Sequence, residues 1–506
     1  MKQGEKIKKT EDAIKKTNTG MKMTKKEQGK KILKNKKFHQ SAVRAVVAKH
    51  RHQKTIIESV MEVPAIVIER ALNETRHVAT VVGDKRSVKR AEEYWHLLGP
   101  GLTTGAADDD PSGIATYSQA GAQYGFQWLW LASFTFPLMA VTQEMCARIG
   151  MVTGRGLAAN IRRHFPRPVL YIATILLFLA NTFNIGADLG AMAEVTKLLF
   201  PRADFSFLVV SFALVILMFQ IFTTYQRYSK YLKFLAMTLI SYVVTMLLVK
   251  FDWWQVVKAT AIPQFNFTKE GILLITGVLG TTISPYLFFW QTSQEIEEEI
   301  MDGKTSIKSR LGASQKEISD MRVDVWSGMF LSNLVMFAII AVCGATLYAN
   351  GITNIETAAQ AAAALKPLAG DFAYILFALG IISTGLLAIP VLAGSISYAL
   401  SESFEWEEGL YKQLGKAKAF YGVIVVSMIF GLMLNFIGLD PIKALVYSAV
   451  ANGVVAPVVL VLIVMLASDK KIMGEWVNGK AAKIFGWAVT MLMLVAGLAT
   501  IWSIIA

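Results

Sequence analysis

Asp108-Asp109-Asp110-Pro111-Ser112-Gly113 stands inside an otherwise apolar run that extends from about residue 97 to residue 122. Carboxylates at bilayer depth are costly, and they persist where they face a bundle interior or a cavity and bind something. Pro111 has no backbone donor and Gly113 has no Cβ, so the helix is predicted to break beside the acids. A broken helix with an intramembrane acid points to a cation site of the kind built by secondary transporters.

Outward from this stretch, the 506 residues are 54% hydrophobic. About 20 apolar residues make one crossing. Eleven candidate spans are predicted, at about 97–122, 126–147, 169–199, 205–225, 234–250, 271–295, 324–348, 372–400, 420–437, 442–467 and 484–505. The chain reads as an all-α polytopic membrane protein. No phosphate-binding loop and no nucleophile–base constellation is evident, so the sequence reads as neither an ATP-driven pump nor an enzyme, and no cofactor is expected.

The net charge of +14 belongs to a tail. Residues 1–96 hold 24 Lys and Arg against 11 Asp and Glu, with fourteen lysines in the first forty positions. This segment reads as a solvated cytoplasmic extension, largely disordered. Val43, Val46, Val47, Ile56, Ile57 and Val60 suggest a short helical stretch within it. Contact with anionic lipid headgroups is a second reading of the lysines. Nucleic acid is not an expected partner, because no aromatic residues interleave with them.

The two cysteines, Cys146 and Cys343, both fall in predicted spans and are too isolated for a thiolate metal site. All six histidines lie at or before His164, which removes imidazole from the chemistry of every later span. With the N-terminus inside, the predicted inner loops hold 20 Lys and Arg and the outer loops 7. That asymmetry predicts a cytoplasmic N-terminus, and the plasma membrane is the expected location.

An inverted repeat should break a later span in the same way. The sixth span contains Gly277-Val278-Leu279-Gly280-Thr281-Thr282-Ile283-Ser284-Pro285-Tyr286, with two glycines, hydroxyl residues and a proline at mid-segment. Five spans separate the breaks, so the two segments run oppositely through the membrane. Two five-helix repeats of inverted topology, with a site at their interface, are the expectation. The repeats fall at about 97–250 and 271–467, with an extra span at 484–505 and the transporter domain covering 97–506. An acidic run, Glu295, Glu297, Glu298 and Glu299, follows the sixth span and reads as a solvated helical extension, with an inner cation funnel as the alternative.

Gly99-Pro100-Gly101-Leu102, then Asp110-Pro111-Ser112-Gly113 and Ser118-Gln119-Ala120-Gly121-Ala122, resembles the first span of the natural resistance-associated macrophage protein (NRAMP) divalent-metal transporters. The sixth span resembles that family's Met-Pro-His segment. Thr153-Gly154 through Ala158 resembles the loop after its second span, and Asn184-Ile185-Gly186-Ala187-Asp188 its third span. The resemblance covers roughly residues 95–470 and implies a LeuT-like fold with broken helices one and six. The departures carry as much information. Gly113 stands where the family has a metal-binding Asn, Ser284 where it has a metal-binding Met, and Tyr286 where it has His. This pattern is similar to the NRAMP-related magnesium transporters.

By that resemblance Asp110 is the primary ligand, and the carbonyls of Ala107 and Thr281 face the ion from the unwound segments. Ser284 supplies a hydroxyl, directly or through water, and Gly113 supplies space. Asp108 and Asp109 add negative potential or hold water, Asp188 lies on a proton path or is a paired polar group, and Tyr286 and Asn452 lie around the site. Asn181 and Asn184 read as interhelical contacts. Thioether sulfur favours transition metals, and its loss removes that bias. Mg²⁺ keeps several waters on one or two carboxylates, which suits a roomier oxygen-only site. The expected substrate is therefore Mg²⁺, with Mn²⁺ tolerated, moved by alternating access without proton coupling. A proton-coupled importer of Mn²⁺ or Fe²⁺ is the alternative, and an organic-solute symporter on the same fold is the second.

Overall fold

The computed structural model describes residues 94–95, 97–264, 268–355, 358–438 and 441–505, and they lie in one unit, residues 89–506. The expectations for residues 1–93 lie outside the described residues. Regular structure among the described residues is helical throughout.

The first predicted span is two helices, α1 (Pro100–Asp108) and α2 (Pro111–Tyr124). Between them, Asp109 (φ −87°, ψ 48°) and Asp110 (φ −65°, ψ 170°) leave the helical region. Pro111 takes the first position of α2, where its missing N–H forfeits no intrahelical bond. The first half continues through α3 (Leu129–Thr153), α4 (Leu157–His164), α5 (Arg167–Leu199), α6 (Phe205–Phe222), α7 (Tyr225–Thr238) and α8 (Ile240–Leu248). A short helix, α9 (Trp253–Ala261), leads to the second half.

The sixth span is also split, into α10 (Lys269–Thr282) and α11 (Pro285–Met301), with Ile283 and Ser284 between. It is followed by α12 (Gln315–Thr346), α13 (Ala358–Phe404, interrupted at Gly370, φ 81°, with its membrane-spanning part at Tyr374–Phe404), α14 (Lys418–Leu434), α15 (Pro441–Ser468), α16 (Lys470–Met473) and α17 (Lys480–Ile505). The result is two five-span units, α1–α8 and α10–α15, each opening on a broken helix, with α17 as the eleventh span.

Among the described residues, eight helical segments are each long and apolar enough to cross a bilayer. The other three expected spans fall short for local reasons. α1 and α2 are halves of one crossing, α3 interrupts its apolar run with Gln143, Glu144 and Arg148, and α14 has 17 residues. The fifth span begins earlier than predicted, so Arg227, Lys230 and Lys233 ride on the first turns of α7 instead of a loop. α6 and α17 carry broad exposed apolar faces, including Phe207, Leu214 and Phe222 on one and Ile484, Val495 and Trp502 on the other. Faces of that extent suit lipid.

Glycine sets how closely the broken helices approach their neighbours. A Cβ on Gly101 would lie 2.5 Å from the Val325 nitrogen of α12, and one on Gly105 would overlap the Gly328 carbonyl. Backbone therefore meets backbone along α1 and α12. α10 meets α15 in the same way, with Gly280 against Ala449 and Gly453.

The start of α1 is held by a carboxylate from α12. Asp324, 3% exposed, accepts from the N–H groups of Gly99 (2.7 Å), Gly101 (2.7 Å) and Leu102 (3.0 Å). These are orphan donors of a helix N-terminus, and an anion there also opposes the positive end of the helix dipole. Lys233 of α7 donates to the Leu98 carbonyl beside them.

Candidate metal centre

The two breaks meet. A Cβ on Gly113 would stand 2.9 Å from the Thr281 hydroxyl and 3.2 Å from the Asp108 carbonyl, so the N-terminus of α2 touches the last turn of α10. Asp110 projects from this junction and is 1% exposed. Its Oδ1 accepts from the Ser112 hydroxyl (2.6 Å) and the Gly113 N–H (2.7 Å). Its Oδ2 accepts from the Asn184 amide of α5 at 2.7 Å. The same amide nitrogen reaches Asp188 at 3.2 Å, so Asn184 bridges the two carboxylates.

The other sequence-predicted residues surround this point with their oxygens already in use to different degrees. The Ala107 carbonyl accepts from the Tyr286 hydroxyl at 2.7 Å, which ties the end of α1 to α11. The Ser284 hydroxyl donates to the carbonyls of Gly280 (2.6 Å) and Thr281 (2.8 Å), satisfying the exposed end of α10 where Pro285 stops the helix. Its lone pairs remain for accepting. The role expected for Gly113 changes: the volume a side chain would fill there is occupied by the Thr281 hydroxyl, so the glycine permits close approach more than it opens room. Tyr117 and Thr282 pair through their hydroxyls at 3.2 Å.

Asp108 accepts from the Ser332 hydroxyl of α12 at 2.7 Å through one oxygen, and its second oxygen has no partner. Neither Asp109 oxygen has a hydrogen-bond partner, nor has either polar atom of the Asn452 side chain on α15. One oxygen each of Asp188 and Asn184 is likewise unmatched. All of these groups are 0–1% exposed.

Buried polar atoms are nearly always satisfied, and orphans call for water or an ion. Here four buried aspartates face no lysine or arginine in any ion pair among the described residues. The C-termini of α1 and α10 and the N-termini of α2 and α11 meet here, so the opposed dipole ends offset and the carboxylates set the sign. The arrangement favours a cation. Among the described residues no three His, Cys, Asp or Glu side chains converge to chelate one. An ion at Asp110 would therefore draw on one carboxylate plus hydroxyl, carbonyl, amide or water oxygens. That donor set is hard, and the sulfur of Met336 is engaged by the Thr282 hydroxyl at 3.9 Å. Every one of these acids is buried.

Three partners were not assigned from sequence. Asn184 read as a generic interhelical contact, although it lies four residues before Asp188 and so shares its helix face. Ser112 and Ser332 carried no signal beyond being small and polar. The acidic run after the sixth span differs from its solvated reading: Glu295, Glu297 and Glu299 are buried. Glu297 accepts from the Tyr398 hydroxyl (2.5 Å) and the N–H groups of Leu410 (2.7 Å) and Tyr411 (3.1 Å), so it fastens the loop after α13. Glu295 accepts from Gln291 at 2.8 Å, and Glu298 from Tyr225 at 3.0 Å.

Comparison with known proteins gives this geometry a context. The family described as natural resistance-associated macrophage protein-like matches residues 101–503. Among solved structures, a manganese transporter from Eremococcus coleocola, in complex with an aromatic bis-isothiourea compound, superposes with a TM-score of 0.62 at 19% identity. The match covers 79% of this chain and 85% of that one. Mhp1, a nucleobase-cation-symport-1 family transporter in a closed conformation, superposes with a TM-score of 0.52 at 17% identity, over 80% of this chain and 91% of the other. Both likenesses speak to the fold.

Proposed function

The chain belongs to the natural resistance-associated macrophage protein-like family, whose members move divalent metals, and from that premise we propose that it carries Mg²⁺ in preference, with Mn²⁺ tolerated, as a partly hydrated ion. The observation that carries this reading is Asp110. It is one buried carboxylate, with hydroxyl, amide and carbonyl groups around it and no imidazole or thioether assigned to it. Mg²⁺ dehydrates reluctantly and is held by one or two carboxylates with several waters kept. Mn²⁺ accepts the same oxygens.

In this proposal Asp110 is the ligand. The Ala107 and Thr281 carbonyls and the Ser284 hydroxyl contribute oxygens directly or through water, and Gly113 brings the Thr281 hydroxyl close. Asp108, Asp109 and Asn452 hold water around the ion, and Tyr286 fixes the Ala107 carbonyl. Residues 97–506 form the transport domain and residues 1–96 a cytoplasmic extension, with the chain in the plasma membrane and its N-terminus inside. The membrane potential drives entry. A second reading, proton-coupled Mn²⁺ or Fe²⁺ import, is favoured by one contact: Asn184 links Asp188 to Asp110, which places a second carboxylate one side chain from the ion.

Flux into liposomes containing the purified protein, with an internal pH dye, separates the two. The proposal expects Mg²⁺ to compete with Mn²⁺ at comparable concentration and no acidification to accompany uptake. Failure of Mg²⁺ to compete, with protons entering alongside Mn²⁺, would establish the second reading instead.

A further inference from the structure

A cleft of about 470 Å³ lies far in sequence from the aspartates, between the end of α4, the start of α5 and the end of α13. Arg162, Arg163 and Arg167 line it with Leu170, Tyr171, Ser403, Phe404 and Glu405. Three guanidinium groups line it with the Glu405 carboxylate, and Arg162 also interacts with the carboxylates of Glu402 and Glu408, which leaves Arg163 and Arg167 as the uncompensated pair. Arg162 pairs with Glu405 at 2.6 Å. Among the described residues Arg163 and Arg167 are in no ion pair. Arg155, just before α4, is held below the usual arginine range by burial and then by the guanidinium groups of Arg163, Arg162 and Arg310. The cluster thus repels itself, and an anion would relieve it.

Two further features say which anion. Tyr171 stacks on Phe404 at 5.8 Å between ring centres, and Phe404 on Trp406 at 5.0 Å. All three rings are more than a third exposed, as belongs to the boundary between headgroups and hydrocarbon. Below the arginines, Ile172, Ile175 and Leu179 are 54%, 56% and 59% exposed and repeat every three to four residues along α5. They form an apolar track leading from the charged cleft into the span. A free phosphate has no use for that track, whereas an acyl chain does. Glu405 is the one non-glycine residue of positive φ (58°) among the described residues, a backbone conformation that L side chains rarely adopt. Glu405 closes the C-terminus of α13 in this conformation, with the Trp406 N–H donating to the Ser401 carbonyl at 2.9 Å, and the turn places its carboxylate against Arg162.

We propose that this cleft binds the phosphate headgroup of an anionic phospholipid, with its acyl chain lying along Ile172, Ile175 and Leu179. Arg163 and Arg167 contact the phosphate, and Arg162 exchanges Glu405 for it when the lipid is bound. Basic pockets between membrane helices recognise lipid headgroups in this manner. With the N-terminus inside, as proposed above, the cleft belongs to the cytoplasmic leaflet; the binding itself does not depend on which ion is carried.

The test uses the full chain in detergent, titrated with dioleoylphosphatidylglycerol or dioleoylphosphatidylcholine and read by native mass spectrometry. Phosphatidylglycerol is expected to bind at least tenfold more tightly. Removing three charges in the triple variant R162Q/R163Q/R167Q should weaken it about 100-fold, near a factor of five for each arginine close to a charged lipid. Arg202→Gln, beyond the other end of α5, should change nothing. Ile175→Asn should weaken phosphatidylglycerol while leaving any inorganic phosphate binding intact. Equal retention of the two lipids, or an unaltered triple variant, overturns the proposal. Full displacement of the lipid by millimolar inorganic phosphate, with no effect of Ile175→Asn, overturns it in favour of a free-anion site.

Discussion

Asp324→Ala should release the first half-helix. The Asp324 carboxylate accepts three N–H groups at the start of α1. A hydrogen bond to a charged acceptor contributes about 1.5–3 kcal/mol, and a buried donor left unpaired costs about 1–3 kcal/mol. Removing the carboxylate also removes its own desolvation cost, which offsets part of the loss. The net penalty on the docked position of α1 is therefore about 3 kcal/mol, or roughly two powers of ten in the docked-to-undocked ratio at 1.4 kcal/mol per decade. Asp324→Asn is milder. Its Oδ1 can keep Gly99 and Leu102, while its amide nitrogen confronts the Gly101 N–H, so about one power of ten is expected. Thr103 on α1 is 4% exposed and provides the reporter as Thr103→Cys. The native Cys146 and Cys343 are buried and give the background rate. Labelling by a membrane-impermeant thiol reagent should accelerate about tenfold with Asp324→Asn and about 100-fold with Asp324→Ala. Equal rates in all three backgrounds, with the protein monodisperse, would refute the idea that this carboxylate latches α1.

Asp110→Ala should abolish Mn²⁺ and Mg²⁺ uptake in liposomes, and full uptake by that variant would move the ion elsewhere. Gly113→Asn must push against the Thr281 hydroxyl at 2.9 Å from its Cβ; overpacking costs about 1–3 kcal/mol, so uptake should fall about tenfold and recover in part with Thr281→Ala. Asn184→Ala removes a charge-assisted bond to Asp110, and isothermal titration should show ion affinity weakened about tenfold. Glu297→Ala removes the acceptor of the Tyr398 hydroxyl and of the Tyr411 N–H and leaves the Leu410 N–H only its 3.2 Å bond to the Tyr398 oxygen; a loss of about 3 kcal/mol should appear as a lowered thermal midpoint in detergent, and an unchanged midpoint would show that the loop after α13 is held by other means.

The breaks were legible because they are written locally. Pro111 and Pro285 stop helices by covalent geometry, and neither needs a distant partner to do so. The position of Asp110 was legible for the same reason, since an acid beside a break in an apolar run has little to do at that depth except meet a cation or cap the half-helix that follows, and it does cap α2 through the Gly113 N–H. What escaped depends on residues far apart in the chain. Ser332 meets Asp108 across 224 positions and Asp324 meets Gly101 across 223, and no periodicity signals either pair. The acidic run after the sixth span looked solvated because charge density was read without its partners. Tyr225, Tyr398 and the backbone of Leu410 arrive from other helices and loops to bury it. Gly113 shows a third kind of miss, because absence of a side chain reads as room until the neighbour that fills it is known.

The contacts of Gly101, Gly105 and Gly328 have a thermodynamic consequence for the alternating access proposed above. Interfaces built from long side chains freeze rotamers each time they close, at up to about 2 kcal/mol for each residue. A face of glycine on backbone has no rotamers to freeze. α1 can therefore leave α12 and return without that recurring entropic cost, and the hydrogen bonds across the seam sit at its two ends, at Asp324 and between Ser332 and Asp108. A seam of this kind is close-fitting yet inexpensive to reopen, and its holding force is tunable at the few side chains that bond across its ends.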